Sequence, residues 1–158
     1  MSLYQEWISA SGGVDLSRYD QIFGNFKEEA PREVSLPECF KTLTGPVTPY
    51  TQKPTDYLLS RGFTKKDILK WRVGYCDYGE YQGRVIVPSF NRAGALNYFI
   101  ARSYTGDDYK YKNPRVSKDI IFNDLNIDWN QDIILVEGVF DAMKCENAIP
   151  ILGSSLKE

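Results

Sequence analysis

The chain is predicted to fold as a mixed α/β protein: an α+β part with a basic antiparallel hairpin, then the start of a parallel strand–helix–strand unit. Three observations lead there. The apolar run Ile133-Ile134-Leu135-Val136 ends in Glu137-Gly138 and is followed by a helix-like segment and a second apolar run; this is the pattern of a parallel unit with buried strands. Two β-rich runs, Arg84–Phe90 and Ala95–Tyr104, flank the turn Asn91-Arg92-Ala93-Gly94, the pattern of a hairpin. Ahead of them stand two short helical segments with recognisable stops and starts.

Taken in order, residues 1–52 read as a connector. Tyr4, Trp7 and Ile8 suit one face of a short helix stopped by Gly12-Gly13, and Thr44-Gly45-Pro46-Val47-Thr48-Pro49 reads as a turn-rich linker. Residues 53–130 form the next part. Pro54 suits the first turn of a helix running through Leu58 and stopping at Gly62. Thr64 caps a second helix, Lys65 to Trp71. Val73–Cys76 is a short strand. In the hairpin, Leu96, Tyr98, Ile100 and Arg102 alternate to one side, and Pro88 requires an edge position or a bulge. Residues 131–158 hold the parallel unit: strand Asp132–Val136, helix Val139–Asn147 with Phe140 and Met143 on one side, and strand Ala148–Leu152.

Composition narrows the chemistry. A hydrophobic fraction of 42% supports a core in 158 residues, and charged residues make up 25%. No apolar run approaches the ~18 residues of a membrane span, and Glu6 interrupts a weakly apolar start, so neither a membrane partner nor a signal peptide is expected. There is no histidine, and Cys39, Cys76 and Cys145 are far apart in sequence. A zinc site is therefore not expected. Histidine-dependent catalysis is excluded for these residues, leaving carboxylates, Lys, Tyr or Cys. The odd, widely spaced cysteines suit free thiols in a reducing, cytoplasmic compartment.

Charge is uneven. Between Arg84 and Lys118, seven basic residues (Arg84, Arg92, Arg102, Lys110, Lys112, Arg115, Lys118) oppose only Asp107 and Asp108, inside a chain of net charge −2. Phe90, Tyr98, Phe99, Tyr104, Tyr109 and Tyr111 are interleaved with them. Cations neutralise phosphates and aromatic faces stack on unpaired bases, so this segment suits a polyanion path on one face. Strand alternation places at least half of the aromatics in the core. Two roles are open to Glu137, a ligand of a divalent metal at a strand end or an acid at the positive end of its own helix. Asp141, one turn on, faces the same choice.

Several of these blocks, in this order, resemble bacterial- and phage-type DNA primases, most closely the phage ones. Tyr57-Leu58-Leu59-Ser60-Arg61-Gly62-Phe63 with Trp71-Arg72-Val73-Gly74-Tyr75 resembles the helical segment before the polymerase core of that family. Arg84-Val85-Ile86-Val87-Pro88 with Gly94 and Ala101-Arg102 resembles its basic hairpin, and Tyr109-Lys110-Tyr111-Lys112-Asn113-Pro114 its lysine-tyrosine-x-asparagine signature. Ile121-Phe122-Asn123 matches a shorter block. Glu137-Gly138-Val139-Phe140-Asp141 resembles the first acidic motif of the TOPRIM fold, and Leu152-Gly153-Ser154-Ser155 the strand end after it.

The resemblance covers residues 50 to 156 and implies synthesis of RNA primers on a single-stranded DNA template from nucleoside triphosphates. It implies Glu137 as ligand of catalytic Mg2+ or Mn2+, with Asp141 supporting the acidic cluster. It implies Arg84, Arg102, Lys110, Lys112, Asn113 and Lys118 as contacts to template or nucleotide phosphates. A replicative helicase or a complementary primase segment is the implied protein partner. The zinc module of the family and its later acidic motifs, including an aspartate-x-aspartate pair, have no counterpart here, so the unit at 131–158 is expected to be a partial TOPRIM fold that makes no primers by itself. Two other readings compatible with the residues are a non-catalytic nucleic-acid or helicase-docking module and another TOPRIM enzyme such as a nuclease.

Overall fold

The structure, a computed structural model, describes residues 34–152. The expected helix around Tyr4, Trp7 and Ile8 and the Gly153-Ser154-Ser155 strand end lie outside the described residues. Four strands form one antiparallel sheet in sequence order: β1 (Lys41–Thr42), β2 (Gly74–Cys76), β3 (Arg84–Phe90) and β4 (Leu96–Ser103). A second sheet has two parallel strands, β5 (Ile134–Val136) and β6 (Ala148–Pro150). Among the described residues three α-helices accompany them: α1 (Gln52–Ser60), α2 (Lys65–Lys70) and α3 (Val139–Ala142). The mixed α/β class is as the sequence predicts, and so is the order of helices and strands after β1.

Both N-terminal helices end in the same way. After α1, Gly62 N–H donates to Leu59 O and Phe63 N–H to Leu58 O, with Gly62 at φ +83°. This left-handed closing turn is where glycine is favoured. After α2, Arg72 N–H and Val73 N–H make the equivalent bonds to Leu69 O and Ile68 O, but the left-handed residue is Arg72, at φ +50°. At its start, α2 has the Thr64 cap the sequence predicts, and Asp67 completes it as a capping box. Thr64 Oγ1 accepts from Asp67 N–H, and the Asp67 carboxylate accepts from Thr64 N–H. Those hydrogen bonds from Thr64, backbone first and then side chain, hold the Asp67 carboxyl below its ordinary range.

The hairpin pairs Arg84 with Ser103 and Val85 with Arg102, and its register shifts between Ser89 and Phe90. Pro88 lies beyond Ile86, the last β3 residue that β2 reaches, so its missing N–H leaves no ladder bond unmade on that side. Side chains alternate across this sheet. Val85, Val87, Tyr98 and Ile100 face the main core with Leu58, Phe63, Ile68, Trp71, Phe122, Phe140 and Met143. Ile86, Phe99 and Ala101 face a smaller core with Cys39, Cys76 and Phe40.

Residues within the stretch that reads as a connector pack on the sheet. Val34, Leu36, Cys39 and Phe40 cover the smaller core, and β1 pairs with β2. Gly74 makes that approach possible, since a Cβ there would fall within the Phe40 ring and against Lys41 O. The same pairing corrects the cysteine reading. Cys39 and Cys76 form a disulfide with Cα atoms 5.2 Å apart, leaving Cys145 as the free cysteine among the described residues. Their 37-residue separation in sequence conceals a neighbourhood that strand pairing creates. The compartment argument built on three free thiols therefore falls away.

The parallel unit also differs from expectation. Its strands are parallel, but β5 is not buried: Ile134 is 50% and Leu135 54% exposed. An apolar run specifies a strand that prefers cover, while only the surrounding elements supply it. Helix α3 stops at Ala142 rather than Asn147. Beyond Ala142 the backbone tightens, with Lys144 N–H donating to Asp141 O and Cys145 N–H to Ala142 O. Further on, Asn147 is left-handed at φ +50°, and its side chain accepts from Asp128 N–H and donates to Asp128 O and Asp132 O; those bonds tie the loop before β5 to the turn before β6. Among the described residues no helix is long and apolar enough to cross a membrane.

Candidate nucleic-acid interface

The strongest convergence of candidate side chains centres on Arg102. Its Nε donates to Tyr57 Oη of α1 at 2.6 Å, and its Nη1 donates to Tyr111 Oη. Its guanidinium carbon lies 5.0 Å from the ring centroids of both Tyr111 and Phe140. Strand alternation puts Arg102 on the main-core face, the face that α3 covers. Phe140 follows Glu137 by three residues, so the contact fastens the basic hairpin to the acidic turn. Tyr111 reaches the site through a bridge to Arg102 on the strand edge.

Two further cations join this cluster, and the sequence reading did not select them. Arg61 lies over the rings of Tyr57 at 5.6 Å and Phe140 at 5.5 Å, and Lys144 lies over Phe63 at 5.3 Å. The aromatic cluster is itself packed, with Phe63 and Phe140 edge to face at 5.6 Å. Among the described residues no carboxylate forms an ion pair with Arg61, Arg102 or Lys144. The signal available in sequence was Arg61 in the turn after α1 and Lys144 one turn beyond Asp141; neither spacing says that they meet.

Glu137 and Asp141 are both exposed, and Gly138, not Glu137, occupies the capping position of α3. The Asp141 carboxylate turns back over Gly138, with Oδ2 3.4 Å from where a Cβ would stand. Among the described residues no three acidic or cysteine side chains lie together as a metal cluster. Two carboxylates supply hard oxygen ligands of the kind Mg2+ takes, but too few for a two-metal centre.

Arg84 and Lys112 do not share the Arg102 face. Arg84 pairs with Ser103, so it projects to the other side of the sheet. It is buried, and its guanidinium donates to Tyr109 O at 3.0 Å and Lys110 O at 3.4 Å and pairs with Asp107 at 3.5 Å. Arg84 thus shapes the loop that carries Lys110 and Tyr111. Lys112 pairs with Glu80 at 3.2 Å and lies 5.9 Å from the Tyr81 ring, again on the smaller-core side. Asn113 Oδ1 accepts from Ala101 N–H at 3.3 Å, which docks the signature loop along β4. Lys110 and Lys118 are exposed. The block Ile121-Phe122-Asn123 is anchored rather than displayed: Phe122 is buried, and Asn123 N–H donates to buried Ser89 Oγ at 2.7 Å.

These features define a class: a mixed α/β fold presenting a guanidinium–aromatic cluster on a strand–helix turn that bears two carboxylates. Solved structures similar in fold include catalytic and RNA polymerase domains of DnaG primases. The DnaG primase catalytic domain bound to single-stranded DNA matches with a TM-score of 0.58 and 19% identity, over 68% of this chain and 49% of that one. The Escherichia coli primase catalytic core gives 0.58 and 18%, over 68% and 50%. The Aquifex aeolicus primase, comprising zinc-binding and RNA polymerase domains, gives 0.58 and 24%, over 67% and 38%. The chain thus spans about half the length of the first two solved chains it matches, and at these identities the likeness is one of fold. Comparisons with protein-family models and with curated proteins find no match.

Proposed function

We propose that this chain is part of a DNA primase of the phage type, acting in synthesis of RNA primers on single-stranded DNA. Its 131–158 segment is read as the first part of a TOPRIM fold. The observation that carries the reading is the meeting of Tyr57, Arg102, Tyr111 and Phe140 on the unit bearing Glu137 and Asp141. These residues come from separate sequence blocks that resemble primases, and they assemble into one surface. On this reading Arg102, Arg61 and Lys110 hold template or nucleoside triphosphate phosphates, and Arg84 and Asn113 position the loop between them. Lys112 and Lys118 extend the basic surface. Glu137, supported by Asp141, holds Mg2+ or Mn2+, which when bound neutralises phosphate charge. The cellular site on this reading is the cytoplasm, that of the host if the chain is phage-encoded.

Further acidic residues are needed for a two-metal centre, so the described residues alone are not expected to make primers. Exposed Ile134 and Leu135 support a second reading, in which a complementary primase segment or a helicase covers β5. Fluorescence anisotropy with labelled single-stranded DNA tests the leading reading. Wild type should bind with clear salt dependence, and the double charge reversal Arg102→Glu with Lys110→Glu should abolish binding. Unchanged affinity in a variant that unfolds like wild type would sink it.

A further inference from the structure

A second basic–aromatic surface lies at the hairpin tip, away from the Arg102 cluster. Val85, which pairs with Arg102, and Phe90 are five steps apart along β3, a rise of about 17 Å. There the Arg72 guanidinium lies 4.8 Å from the Phe90 ring centroid, and that of Arg92 lies 4.7 Å from Trp129. Asp124 fixes the second stack, accepting from Arg92 Nε at 3.2 Å and from Trp129 Nε1 at 2.8 Å. Arg72, Arg92 and Trp129 are exposed, and so are Lys70 and Leu125, which line a shallow concavity with Arg72 and Phe90.

Backbone strain marks the same place. Arg72 and Asn123 both line the concavity, and both are non-glycine residues in the left-handed region, at φ +50° and +57°. Arg72 stands where the closing turn of a helix favours glycine. Glycine would relieve the backbone but would remove the guanidinium from Phe90. Strain retained for the sake of an exposed side chain points to a use for that side chain.

We infer that this surface binds unpaired bases and phosphates of single-stranded nucleic acid, as a contact separate from the Arg102 cluster. Each guanidinium already stacks on a ring with one face, and its outer face is a platform for a base. Lys70 and the free Nη groups of Arg92 supply phosphate donors. The cationic excess favours a polyanion over a protein occupant. The inference rests on the proposed function only for the view that one strand runs over both surfaces; at about 3.4 Å per stacked nucleotide the gap is roughly five nucleotides.

The test uses the full chain and a thymidine oligomer of about twelve nucleotides, long enough for both surfaces. Tryptophan emission should be quenched on binding, and Trp129→Phe should remove the quench. Arg72→Gly with Arg92→Gln should weaken binding about ten-fold and make its salt dependence shallower. Since glycine suits the backbone at position 72, the fold is retained, which thermal unfolding checks. Wild-type affinity and salt slope in that variant, or binding by anisotropy without a Trp129 signal, would overturn the inference and leave the patch to a protein partner. Loss of affinity in Arg72→Gly/Arg92→Gln with full affinity in Arg102→Glu would uphold this surface and remove the Arg102 cluster from the proposed function. Absence of binding by wild type would overturn both.

Discussion

Arg102 of β4 lies over the ring of Phe140 in α3, 5.0 Å from centroid to guanidinium carbon. The contact joins the antiparallel hairpin to the parallel strand–helix unit, and it places a fixed cation on the turn that carries two carboxylates. Tyr57 and Tyr111 complete the hold on the guanidinium by accepting its hydrogen bonds.

That arrangement separates charge from shape. Arg102→Lys keeps the charge but loses the planar fork that reaches both tyrosines and stacks on both rings. Single-stranded DNA affinity is expected to fall about ten-fold or more, with thermal stability lowered by no more than ~1–2 kcal/mol. Phe140→Leu, which keeps most of the buried volume, should show the same loss of affinity. Binding and unfolding curves of the two variants, compared with wild type, check this.

The disulfide between Cys39 and Cys76 closes a 37-residue span. Chain-entropy reasoning gives such a crosslink about 4 kcal/mol of stabilisation. Reductant should therefore lower the urea midpoint of wild type, while Cys76→Ser should begin low and show no response to reductant. Equal midpoints for oxidised and reduced wild type would contradict the prediction.

Ser89 is fully buried and serves two neighbours. Its Oγ donates to Asn97 Oδ1 at 2.6 Å and accepts from Asn123 N–H at 2.7 Å. Ser89→Ala leaves both without their partner and should cost about 1–3 kcal/mol. Loosening of the Phe122 loop should appear as faster amide exchange at Asn123.

The Asp67 carboxyl is held below its ordinary value by its capping bonds to Thr64. With a depressed pKa in the folded state, its contribution is present above the ordinary aspartate value near 3.8 and is lost as pH falls through the lower folded value. Asp67→Asn should thus be less stable than wild type at neutral pH, with the gap narrowing below about pH 4. Unfolding measured across that range reads the sign directly, and a gap that widens in acid would refute it.

How much of this was legible in the sequence differs from element to element. The Thr64 cap, the hairpin strands and the parallel pair follow from local rules of capping, alternation and apolar runs. The limits of α3 and the exposure of β5 do not. Helix α3 gives way to tighter turns after Ala142, Asn147 is held by Asp128 and Asp132, fifteen and more residues away, and β5 lacks cover that no local pattern reveals.

The candidate site divides in the same way. Sequence alone determined the residue types: a basic–aromatic segment, two carboxylates at a strand end and no histidine. Their spacing along the chain carried the resemblance. Only the tertiary structure decided which of them meet. A one-residue offset sends Arg84 and Arg102 to opposite faces of the sheet, so one shapes a loop while the other stacks on Phe140. Strand pairing makes neighbours of Cys39 and Cys76, and helix packing brings Arg61 and Lys144 to the aromatic cluster. Local sequence fixes the period of each element, whereas these contacts depend on register and packing between elements distant in the chain.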